Sequence, residues 1–163
     1  MVEIWDAYDR QFNKIEKIKL VRGQAIPDGV YHLVCEIIVK HTDGTYLLMQ
    51  RDFKKNKGGM WELTAGGAAL AGETPIECAV RELKEETGIV SSDLQEIKRI
   101  VQDGPHSHCV EYLCITNWDK NAVTLQKGET VDYKWVEKNT ILEMGADTLA
   151  SFGTLKFIQE TDM

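Results

Sequence analysis

The sequence predicts an α+β fold, a mixed α/β sandwich. Short runs rich in Val, Ile, Leu and Tyr recur along the chain, divided by turn residues. One segment, residues 74–87, carries a helical apolar period with clear signals at both ends. The helical stretches fall among strands that read as mostly antiparallel, which argues against a doubly wound parallel sheet. At 163 residues the chain is the size of one domain, 1–163, and a core can form at that length without staples.

In chain order, residues 3–8 read as a short strand. Residues 9–28 are polar and broken by Gly23 and Pro27-Asp28-Gly29, so no element is assigned there. Val30 to Lys40 is rich in Val, Ile and Tyr and reads as a strand. Thr42-Asp43-Gly44-Thr45 is a hairpin signal, with Tyr46 to Arg51 as the returning strand. Lys54 to Gly59 is a basic loop and Trp61 to Leu63 a short strand. Leu94 to Gln102, Cys109 to Thr116 and Thr130 to Val136 read as further strands. Asn139 to Met144 and Thr148 to Glu160 look helical.

An apolar fraction of 43% and a charged fraction of 28% are ordinary for a folded soluble protein. The net charge of -7 argues against nucleic acid or an anionic membrane as partner. It leaves a small anionic substrate open, because a bound metal reverses the local sign. There is no apolar run long enough to span a membrane and no signal-like start, so a cytoplasmic location is expected. The four cysteines, Cys35, Cys78, Cys109 and Cys114, form no CxxC pair and read as reduced, buried small hydrophobes. The run His106-Ser107-His108-Cys109 fits no closed zinc site and reads as a hairpin end. A homodimer is left open.

Residues 66–89, GGAALAGETPIECAVRELKEETGI, are the informative stretch. Thr74 is a good N-cap, Pro75 suits the first helical position and Glu77 completes a capping box. Gly88 suits a left-handed C-cap. Ile76, Ala79, Val80 and Leu83 recur at helical spacing and are expected to face the core. Glu82, Glu85 and Glu86 then fall on one side of the helix, near its C-terminal end. Like charges at that spacing cost about a few tenths of a kcal/mol per pair, and the helix dipole there disfavours anions. Stacked hard oxygens at that pole point to Mg²⁺ or Mn²⁺ as compensating cation. Taken alone, the acids also fit a solvated face, with Glu77 and Arg81 as a favourable pair.

The spacing Gly67, Glu73, Arg81-Glu82-Leu83, Glu85-Glu86, Gly88-Ile89 resembles the Nudix box, over residues 67–89, at every fixed position. The resemblance implies a Nudix fold, a mixed sheet between helices, and Mg²⁺-dependent hydrolysis of a diphosphate linkage. By matched position it implies Glu82, Glu85 and Glu86 as metal ligands, with the Gly66 carbonyl often adding another. Arg81 and Glu73 orient the acids, and Gly67 and Gly88 are structural. Metal neutralises phosphate charge and acidifies water. A general base is also needed: Glu85 serves if it contacts metal-bound water, or a glutamate outside the box does, and Glu129 is the candidate. Catalysis is therefore expected of Glu85, Glu86, Arg81 and Glu129.

The N-terminal half resembles, more loosely, the Nudix branch that holds isopentenyl-diphosphate isomerases and hydrolase-like cousins. The residues are Glu3 to Asp9, Pro27 to Leu33 with Tyr31-His32, Gln50-Arg51 and Gly59-Met60-Trp61. The isomerase needs a Cys and a metal-binding His where this chain has Gly66 and Ala68. Isomerase activity is thus the weaker alternative. A non-catalytic ligand-sensing Nudix domain is a further one, disfavoured by the intact acids. His32 matches a branch histidine and is expected to pack at a strand start. The substrate is expected to be a nucleoside diphosphate derivative or a related small diphosphate. Arg51 and Lys55, with Lys54 and Lys57, are candidate phosphate anchors. Trp61 is a candidate stacking residue, with core packing as its plainer role.

Overall fold

A computed structural model of the chain describes residues 2–150 and 158–160. The elements are β1 (Ile4–Tyr8), β2 (Lys14–Val21), β3 (His32–His41), β4 (Tyr46–Arg51), β5 (Trp61–Glu62), β6 (Thr64–Ala68), α1 (Pro75–Thr87), β7 (Leu94–Gln102), β8 (Ser107–Thr116), β9 (Thr130–Val136) and α2 (Lys138–Glu143). β1 and β2 form a two-stranded antiparallel ribbon. The other strands make a seven-stranded sheet whose main path is β5-β4-β3-β8-β7, with β6 on β3 and β9 on β4. The sheet is mixed: β3 and β8 are parallel, His32 opposite Ser107 through His41 opposite Thr116.

β3 explains the layering. Its alternate residues Leu33, Cys35, Ile37 and Val39 join an apolar cluster with Cys78, Ala79 and Leu83 of α1. Ile38 points the other way, into a cluster with Leu48, Leu113, Ile141 of α2 and Ile158. The sheet therefore lies between helical segments, as expected. Among the described residues no helix is long and apolar enough to cross a membrane.

β3 pairs with β4 only at Lys40–Tyr46, next to the hairpin turn. Beyond that point β3 takes β6 as its antiparallel neighbour, Val34 opposite Ala68 through Ile38 opposite Thr64. β4 instead takes β9 and β5. The cavity described below is lined by residues of both strands where their partners part.

Three expectations need correction. Residues 9–28 contain β2, which its charged residues hide. Ile15, Ile18 and Leu20 give it one apolar side, packed with Trp5, Ala7 and Val30. Residues 64–68, to which the sequence assigns no element, are strand β6. A side chain at 66 would collide with the main-chain oxygen of Cys35, so glycine marks the close approach of two backbones. On α1, Ile76 is exposed and Cys78 takes its place in the core-facing set with Ala79 and Leu83. The helix expected over 148–160 lies mostly outside the described residues. Thr148 and Leu149 are non-helical, Leu149 bridging to Trp61, and residues 158–160 are helical.

The caps of α1 form as read. The Thr74 hydroxyl accepts from the Glu77 amide at 3.3 Å, and the Glu77 carboxylate accepts from the Thr74 amide at 3.0 Å. Gly88 ends the helix at φ 80°. An N-cap of this kind contributes about 1 kcal/mol, and burying Leu83 contributes roughly 1.5–3 kcal/mol more. Helix position is thus fixed at both ends and along one face, which fixes the acids it carries.

Candidate active site

A cavity of about 620 Å³ opens over the β6–α1 unit. Its wall includes Gly66, Glu82, Glu85 and Glu86, and also Arg51, Lys55 and Glu129. Of the substrate candidates, Trp61 is not part of it. Trp61 packs against the second apolar cluster, with the Lys134 ammonium 4.2 Å from its ring centre. Core packing, the plainer of its two expected roles, is where the fold puts it, because β5 carries it to the sheet edge beside Leu149.

Arg81 organises the box. Its guanidinium donates two bonds to Glu73, at 2.7 and 2.8 Å, one to Glu82 at 2.9 Å, one to Glu85 at 3.1 Å and one to the Ala68 carbonyl at 3.1 Å. The paired bonds to Glu73 use the planar fork of arginine, which lysine cannot reproduce. Burial pushes the Glu73 carboxyl up, but the Arg81 bonds outweigh it and hold the group below its ordinary value. The Glu73 bonds in turn raise Arg81, which stays charged.

The helix acids are under the opposite pressure. Burial, then the neighbouring Glu82, push Glu86 up to about 8, against the Gly66 amide, which donates to it at 3.1 Å. Burial also raises Glu82, against the attraction of Arg81. Gly67 lets Glu82 come close to the strand: a side chain there would meet its carboxylate oxygen at 2.7 Å. Closely packed carboxylates that share one guanidinium, with Glu86 held by a main-chain amide, fit a divalent cation. Their oxygens are the donors that Mg²⁺ and Mn²⁺ favour.

Two of the candidate anchors, Arg51 and Lys55, are held by an acid. Arg51 pairs with Glu62 and donates to the Asn56 carbonyl at 2.8 Å. Lys55 pairs with Glu129, and both line the cavity. Lys54 and Lys57 are exposed on the same loop and are not in the wall.

The cavity also takes in Glu3, Trp5 and Arg22 from the β1–β2 ribbon, and His32, Glu36 and Glu62 from the sheet. These had no assigned site role in the sequence. A signal existed for Glu36, a lone acid inside the apolar run Val34-Cys35-Glu36-Ile37-Ile38. His32 is stacked on Trp5, ring centres 4.1 Å apart and nearly parallel. Burial, then His106, lower it to about 4, so it is neutral near pH 7. The four cysteines are free and buried.

Comparison with known proteins agrees with this geometry. A protein of Listeria innocua named an uncharacterized Nudix hydrolase is 31% identical over 144 residues, covering 86% of this chain and 83% of that one. An isopentenyl-diphosphate Delta-isomerase of Photobacterium profundum is 32% identical over 136 residues, covering 77% of this chain and 75% of its own. A crystal structure of a Deinococcus radiodurans protein superposes with a TM-score of 0.76 at 15% identity, covering 99% of this chain and 100% of that one. The NUDIX domain family matches residues 30–155, and with the box acids, the caps and the sheet in place the chain belongs to that family.

Proposed function

We propose that this protein hydrolyses the diphosphate linkage of a nucleoside diphosphate derivative or a related small diphosphate, with Mg²⁺ or Mn²⁺ as cofactor. The observation that carries the reading is the complete set Glu82, Glu85 and Glu86, lining one cavity together with Arg51 and Lys55. Glu82, Glu85, Glu86 and the Gly66 carbonyl would hold the metal. The metal supplies charge neutralisation at phosphate and a more acidic water.

The chain's own residues do the rest. Arg81, tied to Glu73, keeps Glu82 and Glu85 in place. Arg51 and Lys55 meet phosphate oxygens, exchanging a carboxylate partner for a substrate one. Glu129 takes the proton of the attacking water, with Glu85 as the alternative base. Lys55 then has two roles, since it holds Glu129 until phosphate competes for the ammonium. The free, buried cysteines suit a reducing cytoplasm.

The isomerase alternative meets a steric obstacle. The isomerase's cysteine would stand at Gly66, where a side chain collides with the Cys35 carbonyl. The histidine it also needs is Ala68 here.

Incubation with Mg²⁺ and a panel of diphosphates, scored by released phosphate products, tests the proposal. Turnover of at least one compound, lost in Glu86→Gln, is expected. No turnover by the folded protein, or an equally active variant, would overturn it.

A further inference from the structure

We propose that Glu36, Cys109 and Glu111 form a second divalent-metal site, thiolate-containing and selective for Zn²⁺, reached through Glu36 from the cavity that the helix acids line. Parallel pairing of β3 with β8 puts Glu36 opposite Glu111. Cys109, two residues before Glu111, is on the same face of β8. One donor atom from each of the three lies within 4.8 Å of the others. Ile38 and Leu113, the next residues on that face, belong to the apolar cluster away from α1. The trio therefore sits on the sheet face opposite the one that α1 covers.

A separate observation points to a missing ligand. Glu111 is 4% exposed. Its Oε2 is buried and has no hydrogen-bond donor among the described residues. Buried polar atoms are nearly always satisfied, and an exception calls for an explanation such as an ion. The neighbouring cation is Lys98, set opposite Glu111 next to a bulge in β7. Its ammonium is 3.6 Å from that oxygen, beyond hydrogen-bond reach. It brings one positive charge to a group of two carboxyls and a thiol.

The donor set names the ion. Two carboxylate oxygens and a thiolate are softer than an all-oxygen cage, which favours Zn²⁺ over Mg²⁺. Three protein ligands leave a fourth position for water. Binding releases the Cys109 thiol proton to solvent as the metal–sulfur bond forms. Glu36 lines the main cavity, which gives the ion an entry path. The adjacent His108 alternates to the other face of β8, away from Cys109 and Glu111, and its ring reaches the Asp9 carbonyl at 2.7 Å.

Cobalt titration of the full chain carrying Glu82→Gln, Glu85→Gln and Glu86→Gln tests the site apart from any hydrolytic activity. One equivalent of Co²⁺ should bind with a thiolate-to-cobalt charge-transfer band in the near ultraviolet. Equimolar Zn²⁺ should erase the band and millimolar Mg²⁺ should not. The band should vanish in Cys109→Ser and persist in Cys114→Ser. Changes outside the ligand shell already cost about 10–100-fold in affinity, so Glu111→Gln should weaken Co²⁺ binding at least as much. A folded parent without the band, a band that survives Cys109→Ser, or displacement by Mg²⁺ would overturn the proposal. If Cys109→Ser does not fold, Glu111→Gln decides: unchanged Co²⁺ affinity refutes the site.

Discussion

Replacing Arg81 with glutamine removes the one cation among the described residues that reaches Glu73, Glu82 and Glu85 together. The guanidinium side chain is 24% exposed, and those of Glu73 and Glu82 are 17% and 12% exposed. Hydrogen bonds to charged groups contribute about 1.5–3 kcal/mol each. Counting the Glu73 fork as one such interaction and the Glu82 bond as another, then discounting for partial exposure, gives a loss of about 3 kcal/mol. The Glu85 contact is more exposed, and a surface pair adds only about 0–1 kcal/mol. For a chain of this size, each kcal/mol moves the midpoint by roughly 2–4 °C. Arg81→Gln should therefore melt roughly 6–12 °C lower by circular dichroism in chelator. Arg81→Lys keeps the charge but not the fork and should recover only part of the loss. A double-mutant cycle with Glu73→Gln should return a coupling of about 1–3 kcal/mol. A stability change within about 0.5 kcal/mol, the range of ordinary surface substitutions, would refute the view that Arg81 organises the box.

Gly66→Ala and Gly67→Ala should separate. The first collides with backbone, and overpacking of that kind costs about 1–3 kcal/mol or more; the second displaces only the Glu82 carboxylate, so it should weaken Mg²⁺ affinity by calorimetry with little change in melting. Asp6 ties the ribbon to the box loop, accepting from the Gly72 amide at 2.7 Å. Burial raises its pKa, but Lys19, that amide and Lys14 outweigh burial and hold it at about 2. A depressed carboxyl stabilises above its unfolded value near 4 and loses that stability as pH falls through about 2. At about 1.36 kcal/mol per unit the parent should lose about 2 kcal/mol more than Asp6→Asn between pH 5 and pH 2 in urea melts. Equal slopes would contradict the linkage. Lys55→Met should raise KM for the substrate identified above, whereas Glu129→Gln should lower kcat by about 10²–10⁴-fold if it is the base; an unchanged kcat would pass that role to Glu85.

What the sequence disclosed follows from where its signals are local. The α1 caps, the Thr42–Thr45 turn and the strand at residues 94–102 each need only near neighbours, and each element formed where it was read. The box was legible because its spacing is fixed by helix geometry and by the backbone approach at Gly66. β2 was hidden because a strand with one covered face and many charges looks like loop. Arg22 and Glu111 were hidden for another reason. They are distant in sequence and meet other site residues only through strand pairing, which no local pattern encodes. The exposed Ile76 shows the limit of periodicity: the core face of α1 is set by what β3 and β6 present to it.

β3 also ties the site to the core by parity. Its odd positions fill the layer under α1, while its even positions carry His32 and Glu36 to the cavity and Ile38 to the opposite layer. An inserted or deleted residue anywhere in this strand would exchange the two sets. Cys35 or Ile37 would then line the polar chamber, and a carboxylate would be driven into hydrocarbon. Reading-frame fidelity in this strand is thus shared between folding and chemistry. Sequence drift here can proceed by substitution, whereas length changes belong in the ribbon turn or the 52–60 loop.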